Sequence, residues 1–235
     1  MQNKLKGLIA LYLLWTILEI GLETVRWDYP FIHGMVKGGL MPLLAIIAFL
    51  YRKALGSVFA MVLGALTFSW FGDVLLIKGH ENELFFIFGL ASFLIAQVMY
   101  VFIFLRAKAR DHNIVIIRKY PLIGLAIAAL PVLVLRELGP KLGEMTVPVV
   151  VYTLAITAMV LAAVSRWAKT NADSFWLITV GAFLFLLSDS LIAFDKFGDP
   201  ITHARVYIMS TYAIAQLLIL IGLIRCEVVS QRLNG

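Results

Sequence analysis

The sequence predicts an all-α, polytopic transmembrane bundle of eight helices forming a single domain over residues 1–235. Three observations carry this. Hydrophobic residues make up 62% of the chain and charged ones 14%, with a mean hydropathy of +0.94. Soluble domains average about 45–50% apolar and about 25% charged residues. Windows of about twenty residues with almost no charge recur along the chain, and a helix needs that length to cross ~30 Å of hydrocarbon. The stretches between them hold turn and charge signals and are too short for a soluble domain. A β-barrel would instead show alternating strands of about ten residues.

The spans follow in order. Span 1, residues 5–23, comes after Lys4 and Lys6 like the core of a signal peptide. It lacks a small-x-small cleavage site and carries Glu19 and Glu23, so it reads as a retained first span. Span 2, residues 31–50, begins after Trp27-Asp28-Tyr29-Pro30 and contains Lys37 and Pro42. Span 3, residues 55–77, follows Tyr51-Arg52-Lys53 and contains Phe71-Gly72-Asp73-Val74-Leu75-Leu76. Lys78–Glu83 separates it from span 4, residues 84–105, and the basic loop Arg106–Lys119 leads to span 5, residues 119–136. Spans 6, 7 and 8 cover residues 145–165, 174–194 and 204–225. They are set off by Arg136–Glu144, Arg166–Asp173 and Asp195–His203, the last including Gly198-Asp199-Pro200.

The net charge of +6 is no nucleic-acid footprint, because the basic residues collect in loops rather than in a stripe interleaved with aromatics. With the N-terminus in the cytoplasm, Lys4, Lys6, Arg52, Lys53, Arg106, Lys108, Arg110, Arg118, Lys119, Arg166, Lys169, Arg225 and Arg232 lie inside. Arg26, Lys78, Arg136, Lys141, Lys196 and Arg205 lie outside. The positive-inside rule therefore puts both termini in the cytoplasm. Compactness and short loops are in keeping with a bacterial cytoplasmic membrane. The single cysteine, Cys226, excludes an intrachain disulfide and a Cys-rich metal site.

Charges inside the spans are the informative residues, since a carboxylate in hydrocarbon costs about 2.5–3.5 kcal/mol on insertion scales. Glu19, Glu23, Lys37, Asp73 and Asp189 all fall in the same half of the bilayer. Gly72-Asp73-Val74-Leu75-Leu76 is echoed by Ser188-Asp189-Ser190-Leu191-Ile192. Each Asp span is followed by a Gln span: Gln97 lies 24 residues after Asp73, and Gln216 lies 27 after Asp189. The echo fits two parallel four-helix halves, with a site at their interface. It also fits chance similarity between apolar helices.

Asp73 and Asp189 have three readings: a structural pair, an ion or proton relay in a transporter, or an acid/base pair in a hydrolase. Two carboxyls in unequal environments can divide acid and base roles. Lys37 either snorkels to the interface, pairs with an aspartate or clamps a lipid phosphate. Glu19 and Glu23 share a helix face at i, i+4; Glu23 suits interfacial solvation and Glu19 stays open. Gln97, Gln216, Tyr100, Tyr152 and Tyr212 supply polar tips that serve as interhelical hydrogen bonds or line a wet cavity. Ser188 has no adjacent histidine base and reads as a hydrogen-bond partner. His33, His80, His112 and His203 show no H-x-x-x-H spacing, so no metal is expected. There is no G-x-S-x-G elbow or P-loop.

Taken together, Lys37 with Pro42, Gly72-Asp73-Val74-Leu75-Leu76, and Gly89-Leu90-Ala91-Ser92-Phe93 leading to Tyr100 form an ordered set. It continues with Tyr152, Gly181 through Phe185 leading to Ser188-Asp189, and Thr211-Tyr212 with Gln216. In this order and spacing the chain resembles, over nearly its whole length, the YhhN family of multi-pass membrane lysoplasmalogenases. One position departs: the family pattern has histidine where Gln97 stands, which bears on any proton-carrying role there.

The resemblance implies an eight-helix membrane hydrolase acting on the vinyl-ether bond of a lysoplasmalogen, a lysophospholipid taken from the bilayer. The products are a fatty aldehyde and glycerophosphoethanolamine or glycerophosphocholine. Such a bond is cleaved by protonating its double bond and capturing the oxocarbenium ion with water, a task comparable to that of glycosidase carboxylates. No cofactor is required. Asp73 and Asp189 are the expected catalytic pair, with Lys37, Tyr100, Tyr152, Ser188, Tyr212, Gln216, Glu19 and Gln97 binding substrate or supporting them. The rival expectation is a small membrane transporter or lipid-binding protein that uses the same acids for ion coupling.

Overall fold

The computed structural model describes residues 2–24, 30–79, 82–107 and 121–233, with side chains described except at 2, 24, 30–33 and 227–233. Among them run the long helices α1 (Gln2–Thr24), α2 (Pro30–Leu50), α3 (Phe59–Gly79), α4 (Glu83–Arg106), α5 (Pro121–Leu142), α6 (Thr146–Val164), α7 (Ala172–Phe197) and α8 (Ala204–Leu233). A short helix, Arg52–Leu55, and a 3₁₀ turn, Gly56–Val58, join α2 to α3, and a second 3₁₀ turn, Gly143–Met145, joins α5 to α6. Among the described residues six segments are long and apolar enough to cross a membrane. One of them, Pro121–Val164, contains both α5 and α6, and Gly34–Leu50 of α2 is a shorter apolar helix. The chain is an all-α, polytopic membrane bundle. The expected breaks at Trp27-Asp28-Tyr29 and His80-Glu81, most of Arg106–Lys119, and the side chains of His33 and His112 lie outside the described residues.

Local chemistry explains the helix ends. The Asn82 side chain accepts from the Leu84 N–H at the start of α4, and Asn171 accepts from Ser174 N–H at the start of α7. Gly143, at φ +52°, makes the left-handed step between α5 and α6. Three helices outrun their expected limits. α5 continues past Arg136 and Glu137, which face outward, because Leu138 and Leu142 are buried against Met145 and Val149. α7 reaches Phe197 and α8 reaches Leu233.

Two antiparallel pairs, α7–α8 and α3–α4, make the most extensive contacts. α2 packs on α3, α4 on α6, and α6 on both α5 and α7. α8 is the most enclosed helix, with 67% of its apolar window buried, and it also touches α1 and α2. Small residues permit these approaches. A Cβ on Gly181 would stand 2.9 Å from the Ala215 carbonyl oxygen, and one on Gly72 would stand 2.5 Å from the Phe93 ring.

Two indoles bond to the backbone of α2, one of them at a carbonyl that a proline leaves free. Pro42 has no N–H, so the Gly38 carbonyl one turn earlier loses its helical donor. Trp70 Nε1 of α3 donates to that oxygen at 2.8 Å. Trp15 Nε1 of α1 donates to the Val36 carbonyl, also at 2.8 Å. The segment carrying Lys37 is thereby fastened to helices on both sides.

At the far end of the bundle, Arg166 in the α6–α7 turn is only 1% exposed. Its Nη1 donates to the Phe104 carbonyl at 3.2 Å and to the Ala107 carbonyl, closing the C-terminal end of α4, whose last carbonyls lack helical donors. Nη2 donates to Ser174 Oγ at 3.0 Å, and Ser174 Oγ donates to the Gly222 carbonyl of α8 at 2.7 Å.

Candidate active site

Asp189 and Asp73 are both buried, in α7 and α3. Asp189 receives two hydrogen bonds, both on Oδ2: one from Gln97 Nε2 of α4 at 2.8 Å and one from the Tyr152 hydroxyl of α6 at 2.7 Å. Asp73 receives the Tyr212 hydroxyl of α8 on its Oδ2 at 3.0 Å. One turn along both α3 and α8, Gln216 Nε2 donates to Ser69 Oγ at 3.0 Å, and the Tyr100 hydroxyl donates to Gln216 Oε1 at 2.6 Å. The i, i+4 spacing of Ser69 and Asp73 matches that of Tyr212 and Gln216, so the antiparallel helices meet in two polar rungs.

The hydrogen bonds are exchanged between the two Asp–Gln helix pairs. The acid of α3 takes its donor from α8, and the acid of α7 takes one of its donors from α4. Lys37, Glu19 and Asp189 are the charged groups close enough to act on Asp73. Lys37 is half-buried and Glu19 fully buried. Among the described residues Tyr212 is the hydrogen-bond donor to Asp73, and Asp189 lies within its electrostatic reach.

Aromatic rings pack beside both acids. Phe93 packs edge-on against Phe185 and Tyr212, with centroids 6.3 and 5.7 Å apart. On the Asp189 side lies a narrow, mostly apolar hollow, walled by Phe93, Tyr152, Leu186, Asp189, Phe197 and Phe86 among others. Pro131 and Val134 of α5 complete the wall. Asp73 is not part of this lining. Asp189 thus lines the hollow, and Asp73 is bonded instead to Tyr212, whose ring packs against Phe93.

The remaining predicted residues fall as follows. Ser188 Oγ donates to the Ile208 carbonyl of α8 at 3.1 Å, so it joins helices rather than touching Asp189. Gln97 Oε1 is buried without a hydrogen-bond donor, so this amide serves Asp189 through its nitrogen alone. Glu23 lies 3.9 Å from Arg205 at the end of the bundle, in a polar hollow with His203 and Asp195. Among the described residues, no group of three or more His, Cys, Asp or Glu is gathered in a metal-binding arrangement.

Sequence reasoning missed Ser69, Tyr12 and the two indoles. Tyr12 of α1 is fully buried and donates to the Ala213 carbonyl of α8 at 3.1 Å. Ser69 was legible, one turn before Asp73 on the same face. The indoles carried no signal beyond being apolar.

Comparison with known proteins bears on this arrangement. The model of the YhhN family matches residues 32–223. Human lysoplasmalogenase TMEM86B is 33% identical over 189 residues, 80% of this chain and 74% of that protein. Human lysoplasmalogenase TMEM86A is 32% identical over 188 residues, 76% of this chain and 73% of its own length. A lysoplasmalogenase of Mycobacterium bovis (strain ATCC BAA-935 / AF2122/97) is 32% identical over 142 residues, 58% and 50% of the two chains. No solved structure matches. The matched stretch contains Lys37, both aspartates and every polar partner described for them except Tyr12 and Glu19, and the chain belongs to the YhhN family.

Proposed function

We propose that this protein is a lysoplasmalogenase, hydrolysing the vinyl-ether bond of an alkenyl glycerophosphoethanolamine or glycerophosphocholine to a fatty aldehyde and the glycerophospho-alcohol. The supporting observation is Asp189, a buried carboxyl at the wall of an apolar hollow. Among the described residues both its donors converge on Oδ2, leaving Oδ1 for a substrate. The activity named for the relatives points the same way.

The chemistry follows from that placement. The alkenyl group lies in the hollow, and its alkyl tail leaves between α4 and α5 into lipid, since α5 leans on α6 and α7. Asp189 in its protonated state gives a proton to the outer carbon of the double bond, and the ether carbon becomes an oxocarbenium ion. The resulting carboxylate, held by Tyr152 and Gln97, takes a proton from a water molecule as its oxygen bonds to that carbon. Asp189 is restored, and the hemiacetal collapses to aldehyde and free glycerol hydroxyl. Asp73, the second carboxyl, stabilises the passing positive charge, with Lys37 fixing its own ionisation. Every atom comes from lipid and water.

Eight crossings in two parallel four-helix halves, with both termini in the cytoplasm, complete this reading. The exchange of hydrogen bonds between α3, α4, α7 and α8 supports the duplication. The test is aldehyde release from a lysoplasmalogen in detergent without any gradient, an outcome a transporter or lipid carrier does not give. Asp189→Asn is expected to lower turnover about 10³-fold, within the span of general acid catalysis. Asp73→Asn is expected to lower it about 10²-fold, as for loss of one electrostatic stabiliser. Both variants should stay monodisperse, and wild-type turnover in both would eliminate the scheme.

A further inference from the structure

We infer that Lys196 grips the phosphate of the lipid headgroup, an assignment that rests on the vinyl-ether reading of the hollow beside Asp189. Lys196 is seven residues after Asp189 on α7, two turns along the same helix face. Ile192 and Ala193 between them line the hollow, as does Phe197 beyond. The Lys196 ammonium lies 5.1 Å from the centroid of Phe86, and the Phe86 ring meets Phe197 edge-on at 5.8 Å. Both rings wall the hollow. The cation therefore stands at the rim, directly above its aromatic walls.

Its described partners, the Phe86 ring and the Gly79 carbonyl, hold it weakly. Nζ reaches the Gly79 carbonyl only at 3.5 Å, the limit of a hydrogen bond. Among the described residues no carboxylate is within ion-pair distance of it. The side chain is exposed, so an incoming anion need displace little.

Length is compatible with a phospholipid headgroup. Seven residues of helix put the Cα atoms of Asp189 and Lys196 about 10 Å apart. In an extended glycerophospholipid the vinyl-ether carbon and the phosphorus are about 7–8 Å apart, counting bonds of ordinary length. An N–H to phosphate contact adds about 3 Å. The two lengths are of the same order, and the flexible lysine stem takes up the difference.

The test is equilibrium binding in neutral detergent micelles, read by calorimetry with two saturated ether lipids that cannot be hydrolysed. One is a 1-alkyl-glycerophosphoethanolamine, the other the matching 1-alkyl-glycerol, which lacks the phosphate. Lys196→Met is expected to weaken binding of the phosphorylated lipid about five- to tenfold, the scale of one partly solvated charged hydrogen bond. Binding of the alkyl-glycerol should be unchanged, and Lys196→Arg should restore the phosphorylated lipid. Equal binding of the phosphorylated lipid by wild type and Lys196→Met, or an equal loss for both lipids, overturns the assignment. Aldehyde release from the unsaturated lipid is measured separately, so failure of the hydrolase reading is distinguishable from failure of this one.

Discussion

Removing one oxygen atom tests the proposed proton transfer most directly. Tyr152→Phe keeps the ring that lines the hollow and deletes the hydroxyl 2.7 Å from Asp189 Oδ2. That hydrogen bond gains strength when Asp189 gives up its proton, because its acceptor then becomes charged. Hydrogen bonds to charged groups contribute about 1.5–3 kcal/mol, so kcat should fall about 10- to 150-fold at ~1.4 kcal/mol per decade. The loss should stop there, since the Gln97 amide still reaches the same oxygen at 2.8 Å. Aldehyde release by the purified protein, coupled to NADH oxidation by an alcohol dehydrogenase, gives the rate, and KM should change by no more than about twofold because the phenol does not bind the headgroup. A kcat within about threefold of wild type, in a series where Asp189→Asn is inactive, would refute the idea that charge develops on this carboxyl.

Other substitutions probe neighbouring links. Gln97→His should keep most activity, because an imidazole N–H can replace the amide donor to Asp189, whereas Gln97→Leu should lose about 10-fold or more; equal rates would separate Gln97 from catalysis. Trp70→Phe should destabilise the protein in detergent by about 1–3 kcal/mol by leaving the Gly38 carbonyl without a donor. In a Pro42→Ala background a backbone N–H returns to that carbonyl, so the same change should cost much less. Strict additivity in that double-mutant cycle of thermal unfolding would show that the indole does not repair the proline.

What was legible in the sequence was whatever hydrocarbon makes expensive. Asp73, Asp189, Lys37 and Glu19 stand out because a charge within an apolar window has no cheap place to go, and four helices bring them into one region. The partners of each acid were not legible. Gln97 follows Asp73 in the chain yet serves Asp189, because helix pairing in lipid is set by small-residue packing and hydrogen bonds, not by a hydrophobic face that a pattern can reveal. The hollow depends on how α5 rests against α6 and α7, and nothing in an evenly apolar helix announces that. Arg166 misleads in the opposite direction. Read as one more solvated loop cation, it is among the largest fully buried side chains.

That arginine also sets a timetable. Its guanidinium closes the end of α4 from 62 residues further along the chain. During synthesis at about 5–20 residues per second, the finished α4 waits roughly 3–12 s before Arg166 leaves the ribosome. Until then its terminal carbonyls must borrow water or insertion machinery, and a nascent chain stalled after α5 keeps that debt open. Assembly of the early helices is thus completed only by the late ones, which makes the full-length chain the smallest unit that proteolytic surveillance should spare.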